Sequence, residues 1–237
     1  MGQKRQVLTK DIVLAALASA LLSAGKQALV AIPNVEIVTL LIMLYAACFK
    51  PQITFIATAV YILIECSIWG LNTWVVAYII HWNFVAFGTF LLAHVFKFKN
   101  RFIYLAFTIL VTIAFGVLTT TIDAIVSASK SRFTFAAFFV VIYMRGIYFY
   151  IVHVVGNAAF NITLFAPLRD LLTKLMKKYY GRDVFLKERD GGNIIRGSGQ
   201  ESAQETPPSL TEGTERATMN ESDLSKEERI GDSENKK

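Results

Sequence analysis

Long apolar stretches separated by short polar segments dominate the first three quarters of the chain. Apolar runs of about 20 residues have the length of helices that cross a bilayer. The pattern predicts an all-α membrane protein with six transmembrane helices, at residues 12–32, 37–49, 53–69, 74–95, 102–125 and 146–166. Residues 133–144 are apolar but too short to span, so we expect a separate interfacial or re-entrant segment before the sixth helix. The alternative is one long helix with the sixth span, which would exceed the bilayer and put Arg145 inside it.

Basic residues concentrate in the membrane part of the chain. Residues 1–186 contain 16 Lys and Arg against six Asp and Glu, whereas residues 187–237 contain eight against 12. Cytoplasmic loops of membrane proteins are enriched in Lys and Arg, so the distribution of loop charges predicts that both termini are cytoplasmic. We therefore expect a multi-pass protein of the cell membrane, with residues 1–186 as its membrane domain. Residues 187–237 are rich in Gly, Ser, Glu and Thr, which predicts a disordered acidic cytoplasmic tail.

A polar stripe runs along the sixth predicted helix. His153, Asn157 and Asn161 follow one another at intervals of four residues, and Arg145 lies eight residues before His153. This spacing places side chains on one helix face. Polar groups at membrane depth either hydrogen-bond between helices or mark a functional site. We expect Arg145, His153 and Asn157 to bind a ligand, and for Asn161 both interpretations remain open.

Further polar and aromatic residues lie near the outer ends of the second, third and fourth predicted helices. A pocket with aromatic walls and a few convergent polar groups is the usual form of a small-molecule site. The ligand-binding residues predicted in these segments are Asn34, Glu36, Glu65, Trp69, Asn72, Trp74, Trp82 and Asn83. Trp74, taken alone, also fits the aromatic belt at a membrane interface.

Small residues repeat along the first predicted helix. Ala16, Ala20 and Ala24 occur at every fourth position and therefore share one face. Small side chains let two helix backbones approach closely, so the repeat predicts a face for docking a partner helix. The alternative is that alanine is simply common in membrane helices.

Motifs for catalysis, metal binding and ATP hydrolysis are missing from the sequence. His81, His94 and His153 do not follow a metal-ligand spacing, and Cys48 and Cys66 both lie in apolar segments. The sequence contains no nucleophile elbow, no paired carboxylates at catalytic spacing, no Walker motif and no nucleic-acid-binding motif. We therefore expect a protein that is not an enzyme and that binds neither a metal nor a cofactor.

Several segments together resemble the substrate-binding S components of energy-coupling factor (ECF) transporters. The resemblance covers about residues 10–178. It is carried by AALASALLSA at residues 15–24, IPNVEIVT at 32–39, WGLNTWVVAYIIHW at 69–82, RGIYFYIVHVVGNAAFN at 145–161 and LFAPL at 164–168.

The resemblance implies a six-helix protein that captures a vitamin or a related micronutrient from outside the cell. Such proteins dock through the small-residue face of the first helix onto a transmembrane coupling subunit, which is joined to two cytoplasmic ATPases that use ATP. The loop around Glu36 and the sixth helix look nearest to S components linked to cobalamin or to a precursor such as dimethylbenzimidazole. The chain departs from the pattern at Ile37, where proline is expected, at the bulky residues 78–80 and in its long acidic tail.

Two other functions remain open. A stand-alone secondary carrier or channel would also contain polar groups at membrane depth, although the sequence shows no inverted repeat. A membrane scaffold without transport activity would use the acidic tail as its interaction segment.

Overall fold

The computed structural model describes residues 9–180, and these are all-helical, without strands. The helices are α1 (Thr9–Leu29), α2 (Val38–Cys48), α3 (Pro51–Trp69), α4 (Thr73–Phe90), α5 (Arg101–Ser129), α6 (Phe135–Phe160) and α7 (Ala166–Tyr180). A π-helical turn, Leu91–Val95, extends α4, and a second, Asn161–Phe165, joins α6 to α7. The predicted tail at 187–237 lies outside the described residues.

Five helical runs in the described chain have the length and hydropathy required to cross a membrane. They are α1, α3, α4 with its π turn, α5, and the continuous run Phe135–Tyr180. The second predicted span, 37–49, corresponds to the apolar helix α2, which has only 11 residues and falls short of the length of the other five. The prediction of an all-α protein built from apolar helices is therefore confirmed, and this architecture is compatible with a multi-pass membrane protein.

The prediction of a separate interfacial segment at residues 133–144 was wrong. One helix begins at Phe135 and continues through Arg145 to Phe160. The Thr134 side chain caps its start by accepting a hydrogen bond from the Ala137 backbone N–H at 3.4 Å. No glycine or proline lies between 135 and 145 to interrupt the helix. The prediction relied on the length of the combined helix and on the position of Arg145 within it, and neither excludes a helix that is longer than a bilayer is thick.

Helical structure also continues beyond Pro167, where the sixth helix was predicted to end. Proline lacks an N–H group and clashes with the preceding turn of a regular α-helix. In this chain the π turn Asn161–Phe165 comes directly before it, and Pro167 is the second residue of α7. The π turn therefore changes the backbone hydrogen-bond register just before Pro167, where a regular α-helix would be disrupted by the proline.

A polar cluster joins three helix ends at one end of the bundle. Asp11, near the start of α1, accepts hydrogen bonds from Lys50 at 3.2 Å and from the Tyr180 hydroxyl at 2.6 Å. Lys50 directly precedes α3, and Tyr180 is the last residue of α7. The two ends of the described chain therefore lie at the same end of the bundle.

Helix α2 is short and enclosed, and its length positions the candidate site. Nine of its 11 residues are buried, and it packs mainly against α4 and α7. Eleven residues rise about 17 Å, roughly half of a bilayer's hydrocarbon core. Since α2 ends next to Lys50, at the Asp11 end of the bundle, its other end lies near mid-height. The loop before α2, which contains Glu36, therefore reaches into the bundle.

Candidate ligand-binding site

Glu36 is the centre of a buried hydrogen-bond network. Its Oε1 accepts a hydrogen bond from Asn157 Nδ2 at 2.9 Å and lies 3.2 Å from His153 Nε2. The Thr39 hydroxyl donates to the same oxygen, and the Thr39 backbone N–H donates to Oε2 at 2.9 Å. Asn157 Nδ2 also lies 3.1 Å from the Thr112 hydroxyl. We call Glu36, Thr39, Thr112, His153 and Asn157 the Glu36 cluster.

Local structure explains why these residues meet. Glu36 precedes α2 and caps it, because its carboxylate satisfies the otherwise unpaired N–H of Thr39 in the first turn. His153 and Asn157 lie one turn apart on α6 and both face the interior, with 5% and 3% exposure. Thr112 reaches the same point from α5. The cluster therefore connects the loop before α2 to α5 and α6.

Aromatic rings line the region next to the Glu36 cluster. The Phe115 ring lies 5.5 Å from the His153 ring and 4.6 Å from the His81 ring. Trp82 lies within 6.5 Å of four rings by centroid distance. These four are Tyr61, Tyr78, His81 and Phe115. We call these five residues, with Trp82 at their centre, the ring cluster.

Three polar atoms in the ring cluster have no hydrogen-bond partner among the described residues. They are the Tyr61 hydroxyl, His81 Nε2 and Trp82 Nε1, and all three are buried. A buried polar group without a partner costs about 1–3 kcal/mol. Such groups usually bind an ordered water or a ligand. The ring cluster thus combines aromatic walls with unsatisfied polar groups, as small-molecule sites do.

A buried ion pair lies beside the ring cluster. Glu65, on α3, is fully buried, and its Oε2 pairs with Lys26 Nζ from α1. Lys26 also donates to the Tyr78 hydroxyl at 3.1 Å and lies 5.8 Å from the Trp74 ring centroid. The pair therefore joins α1, α3 and α4 and compensates the Glu65 charge inside the bundle.

Replacing Glu65 by leucine is expected to destabilise the protein by about 2–3 kcal/mol, because the Lys26 charge loses its partner. The effect is smaller than for a fully buried pair, since the Lys26 side chain is 22% exposed and its ammonium can move towards water. Thermal unfolding in detergent measures this change. The double variant Lys26→Met/Glu65→Leu should recover most of the lost stability, and a double variant as unstable as Glu65→Leu alone would contradict the argument.

Three predicted site residues in loops or at a helix end have no contact with these clusters among those the structure gives. Asn34 is exposed and has a φ of 57°, a left-handed conformation that asparagine tolerates. Trp69, at the end of α3, is 54% exposed. Asn72 is exposed, and its Oδ1 caps α4 by accepting the Thr73 backbone N–H at 2.7 Å. Their observed roles are a turn, a helix end and a helix cap.

Asn83 and Arg145 also do not join the Glu36 cluster. The Asn83 amide donates to the Ile79 carbonyl of its own helix at 2.7 Å. Arg145 is exposed and has neither a hydrogen bond nor an ion pair with any described residue. Eight residues turn a helix by about 80° beyond two full turns, so Arg145 does not share the inward face of His153.

Asn161 is buried, but it lies away from Glu36. Its Nδ2 is 3.9 Å from the Met43 sulfur on α2, and the structure gives it no hydrogen bond to a member of the Glu36 cluster. This contact is between helices, which favours the packing interpretation that the sequence left open.

Sequence reasoning missed several residues of these clusters. Thr112 belongs to a series of buried threonines on α5 with Thr108 and Thr120, spaced by multiples of four. That spacing was a visible signal of a polar inward face. Lys26 was also visible, as a basic residue inside an apolar span. Tyr61 and His81 gave no local signal, because their polar atoms become significant only once burial is known.

The predicted docking face lies on the outside of α1. Ala16, Ala20 and Ala24 are exposed, whereas Ala15 and Leu22 are buried against the bundle. The small-residue repeat is thus available on the surface rather than used for packing within the chain.

The fold and the clusters define a class, an all-helical protein of apolar, membrane-type helices with polar and aromatic clusters in its interior. No group of three or more His, Cys, Asp or Glu side chains among residues 9–180 is arranged to hold a metal ion. Comparisons with known protein families, with characterised proteins and with solved structures find no match to this chain.

Proposed function

We propose that the chain is the substrate-binding S subunit of an ECF-type importer in the cell membrane. It captures a small organic nutrient from outside and delivers it by docking on a transmembrane coupling subunit that two ATPases drive. The chain itself is not an enzyme, and ATP is used by the partner subunits. In this proposal α2 counts as a short membrane span, which brings the number of spans to six. Both termini are cytoplasmic, as the loop charges predict.

The Glu36 cluster is the observation that carries the proposal. It brings together Glu36, His153 and Asn157, which belong to two of the segments that carry the resemblance to S components. The cluster lies next to aromatic rings that have unpaired polar atoms. A ligand that contacts α6 and also the loop before α2 would favour the conformation in which that loop and α6 are joined. The size of this effect is the difference between its affinity for that conformation and its affinity for the others.

The exposed face of α1 supports the docking part of the proposal. A partner helix approaches most closely where side chains are small, and Ala16, Ala20 and Ala24 offer such a surface to the outside of the bundle. For the ligand, we propose a vitamin or a precursor, with cobalamin or dimethylbenzimidazole as the first compounds to try, on the resemblance of the segments around Glu36 and Asn157.

Purification of the full chain followed by mass spectrometry of the copurifying small molecules tests the binding function. We expect one organic ligand at about one molecule per chain, lost on denaturation. Reconstitution of the chain alone in liposomes should then show binding without accumulation inside, since the energy for uptake comes from the partner subunits. The absence of any retained ligand would contradict the proposal.

A stand-alone carrier is the second candidate, and one observation favours it. Glu36 and His153 form a buried carboxylate–imidazole pair, the kind of pair that relays protons in transporters. Uptake by liposomes that contain only this chain, driven by a pH gradient, would support the carrier and contradict the S subunit. We expect no such uptake.

A further inference from the structure

We propose that Tyr61, His81 and Trp82 are the hydrogen-bond partners of the ligand, and that this ligand is an uncharged, flat heteroaromatic compound. The inference rests on the proposed binding function and specifies the chemistry of the site. It starts from an energetic anomaly, because a stable core normally satisfies its buried polar atoms. In this core three adjacent rings leave a polar atom unpaired.

Burial makes these atoms unusual. Tyr61, His81 and Trp82 are 0%, 3% and 2% exposed, so bulk water does not solvate them. Nearby polar side chains show the normal pattern, since Tyr78 bonds to Lys26 and Asn157 bonds to Glu36. Among residues 9–180, three of the six buried side-chain atoms without a partner therefore belong to neighbouring rings on α3 and α4. The other three are the isolated hydroxyls of Ser23, Thr54 and Thr89.

The chemistry of the three groups limits the ligand. An indole N–H is only a donor, so Trp82 requires an acceptor on the ligand. The Tyr61 hydroxyl and His81 Nε2 are able to donate or to accept, so they allow a second acceptor or a donor. The rings of Trp82, Tyr78 and Phe115 favour a flat aromatic partner that packs against them.

The charges around the rings favour an uncharged ligand. Glu36 already accepts hydrogen bonds from Asn157 and Thr39 and lies 3.2 Å from His153 Nε2, while Glu65 is paired with Lys26. A charged ligand would enter a buried region in which the carboxylates already have partners, and burying an uncompensated charge is strongly unfavourable. A neutral ring with nitrogen acceptors avoids that cost.

Three bicyclic probes of similar shape test the inference with the full chain purified in detergent and freed of ligand. Purine has acceptors and a donor, indole has a donor only, and indene has neither. We expect calorimetry to show purine binding at least about fivefold more tightly than indene, with indole between them. Equal affinities for purine and indene would overturn the inference.

Conservative variants locate the effect. Tyr61→Phe should weaken purine binding about fivefold and leave indene binding unchanged. Trp82→Phe should weaken purine binding about fivefold more than it weakens indene binding, because it removes the indole N–H together with part of the ring surface. Tyr61→Phe should also raise the melting temperature of the ligand-free protein by about 2–4 °C, because it removes an unsatisfied hydroxyl. The matched controls are Tyr148→Phe and Trp69→Phe, at exposed positions, and these should change neither measurement.

The outcomes separate this inference from the proposed function. If a ligand copurifies and its retention is insensitive to Tyr61→Phe and Trp82→Phe, the inference fails and the binding function stands. If Tyr61→Phe raises stability without weakening purine binding, the hydroxyl is a buried defect or bonds to water, and the inference fails again. If no probe binds and nothing copurifies, the proposed function itself fails.

Discussion

Replacing Asn157 by leucine is expected to reduce the ligand retained on purification by at least about tenfold. Asn157 Nδ2 contacts Glu36 Oε1 at 2.9 Å and the Thr112 hydroxyl at 3.1 Å, so one amide joins the loop before α2 to α5 and α6. Leucine has a similar size but donates no hydrogen bond, which leaves the Glu36 carboxylate without one of its donors. The loop would then be held less firmly over the site. Mass spectrometry of the purified protein measures the retained ligand.

Asn161→Leu is the matched control for this prediction. Asn161 lies one turn further along, at the start of the π turn that follows α6, and is equally buried. The one side-chain partner that the structure gives it is the Met43 sulfur. The variant should therefore insert normally and retain its ligand. Both variants add an apolar side chain at membrane depth, so neither should reduce insertion. Equal loss in the two variants, or unchanged binding in Asn157→Leu, would contradict the assignment of the site.

The second large effect is expected on uptake. Replacing both Ala16 and Ala20 by tryptophan should abolish ATP-dependent uptake by the assembled transporter, because two large rings would separate the α1 backbone from the partner helix. The ligand should still bind, since both alanines face away from the interior. The measurements are ligand retention on the purified chain and uptake by cells or liposomes that contain the full complex.

Tryptophan on another outward face controls for general effects of bulk. Ala59 on α3 and Ala106 on α5 are also exposed, and the double variant Ala59→Trp/Ala106→Trp should preserve uptake. If uptake survives the replacement of Ala16 and Ala20, the docking face is wrong. If the control variant also abolishes uptake, the effect is not specific to α1.

Hydropathy predicted most of the helices well because residues in the local sequence mark where the apolar runs begin or end. Pro51 opens α3, and Asn72 and Asn100 cap the helices that follow them, so local residues determined these boundaries. The continuity of α6 through Arg145 was not predictable from length. A charge within an apolar run suggests an end of the span, although an exposed arginine also fits in the middle of a helix that extends beyond the membrane.

The candidate site was partly visible in the sequence. The spacing of His153 and Asn157 predicted one shared inward face, and the structure places Glu36 opposite them. Their partners Thr39 and Thr112 come from other helices, and pairing between helices depends on how the bundle packs rather than on local spacing. The same reason explains why Lys26 and Glu65 were not predicted as a pair, although both are charges within apolar runs.

The length of α2 has a consequence for how the protein is made. A run of 11 residues covers about half of the hydrocarbon core, and both its ends carry backbone groups that need partners. Such a segment has too little apolar length to leave the translocon as an independent span. We therefore expect α2 to enter the bilayer together with α1 and α3 rather than by itself. The helices that shield Glu36 from lipid are synthesised much later. The Glu36 cluster would then be complete only after α6 has emerged from the ribosome.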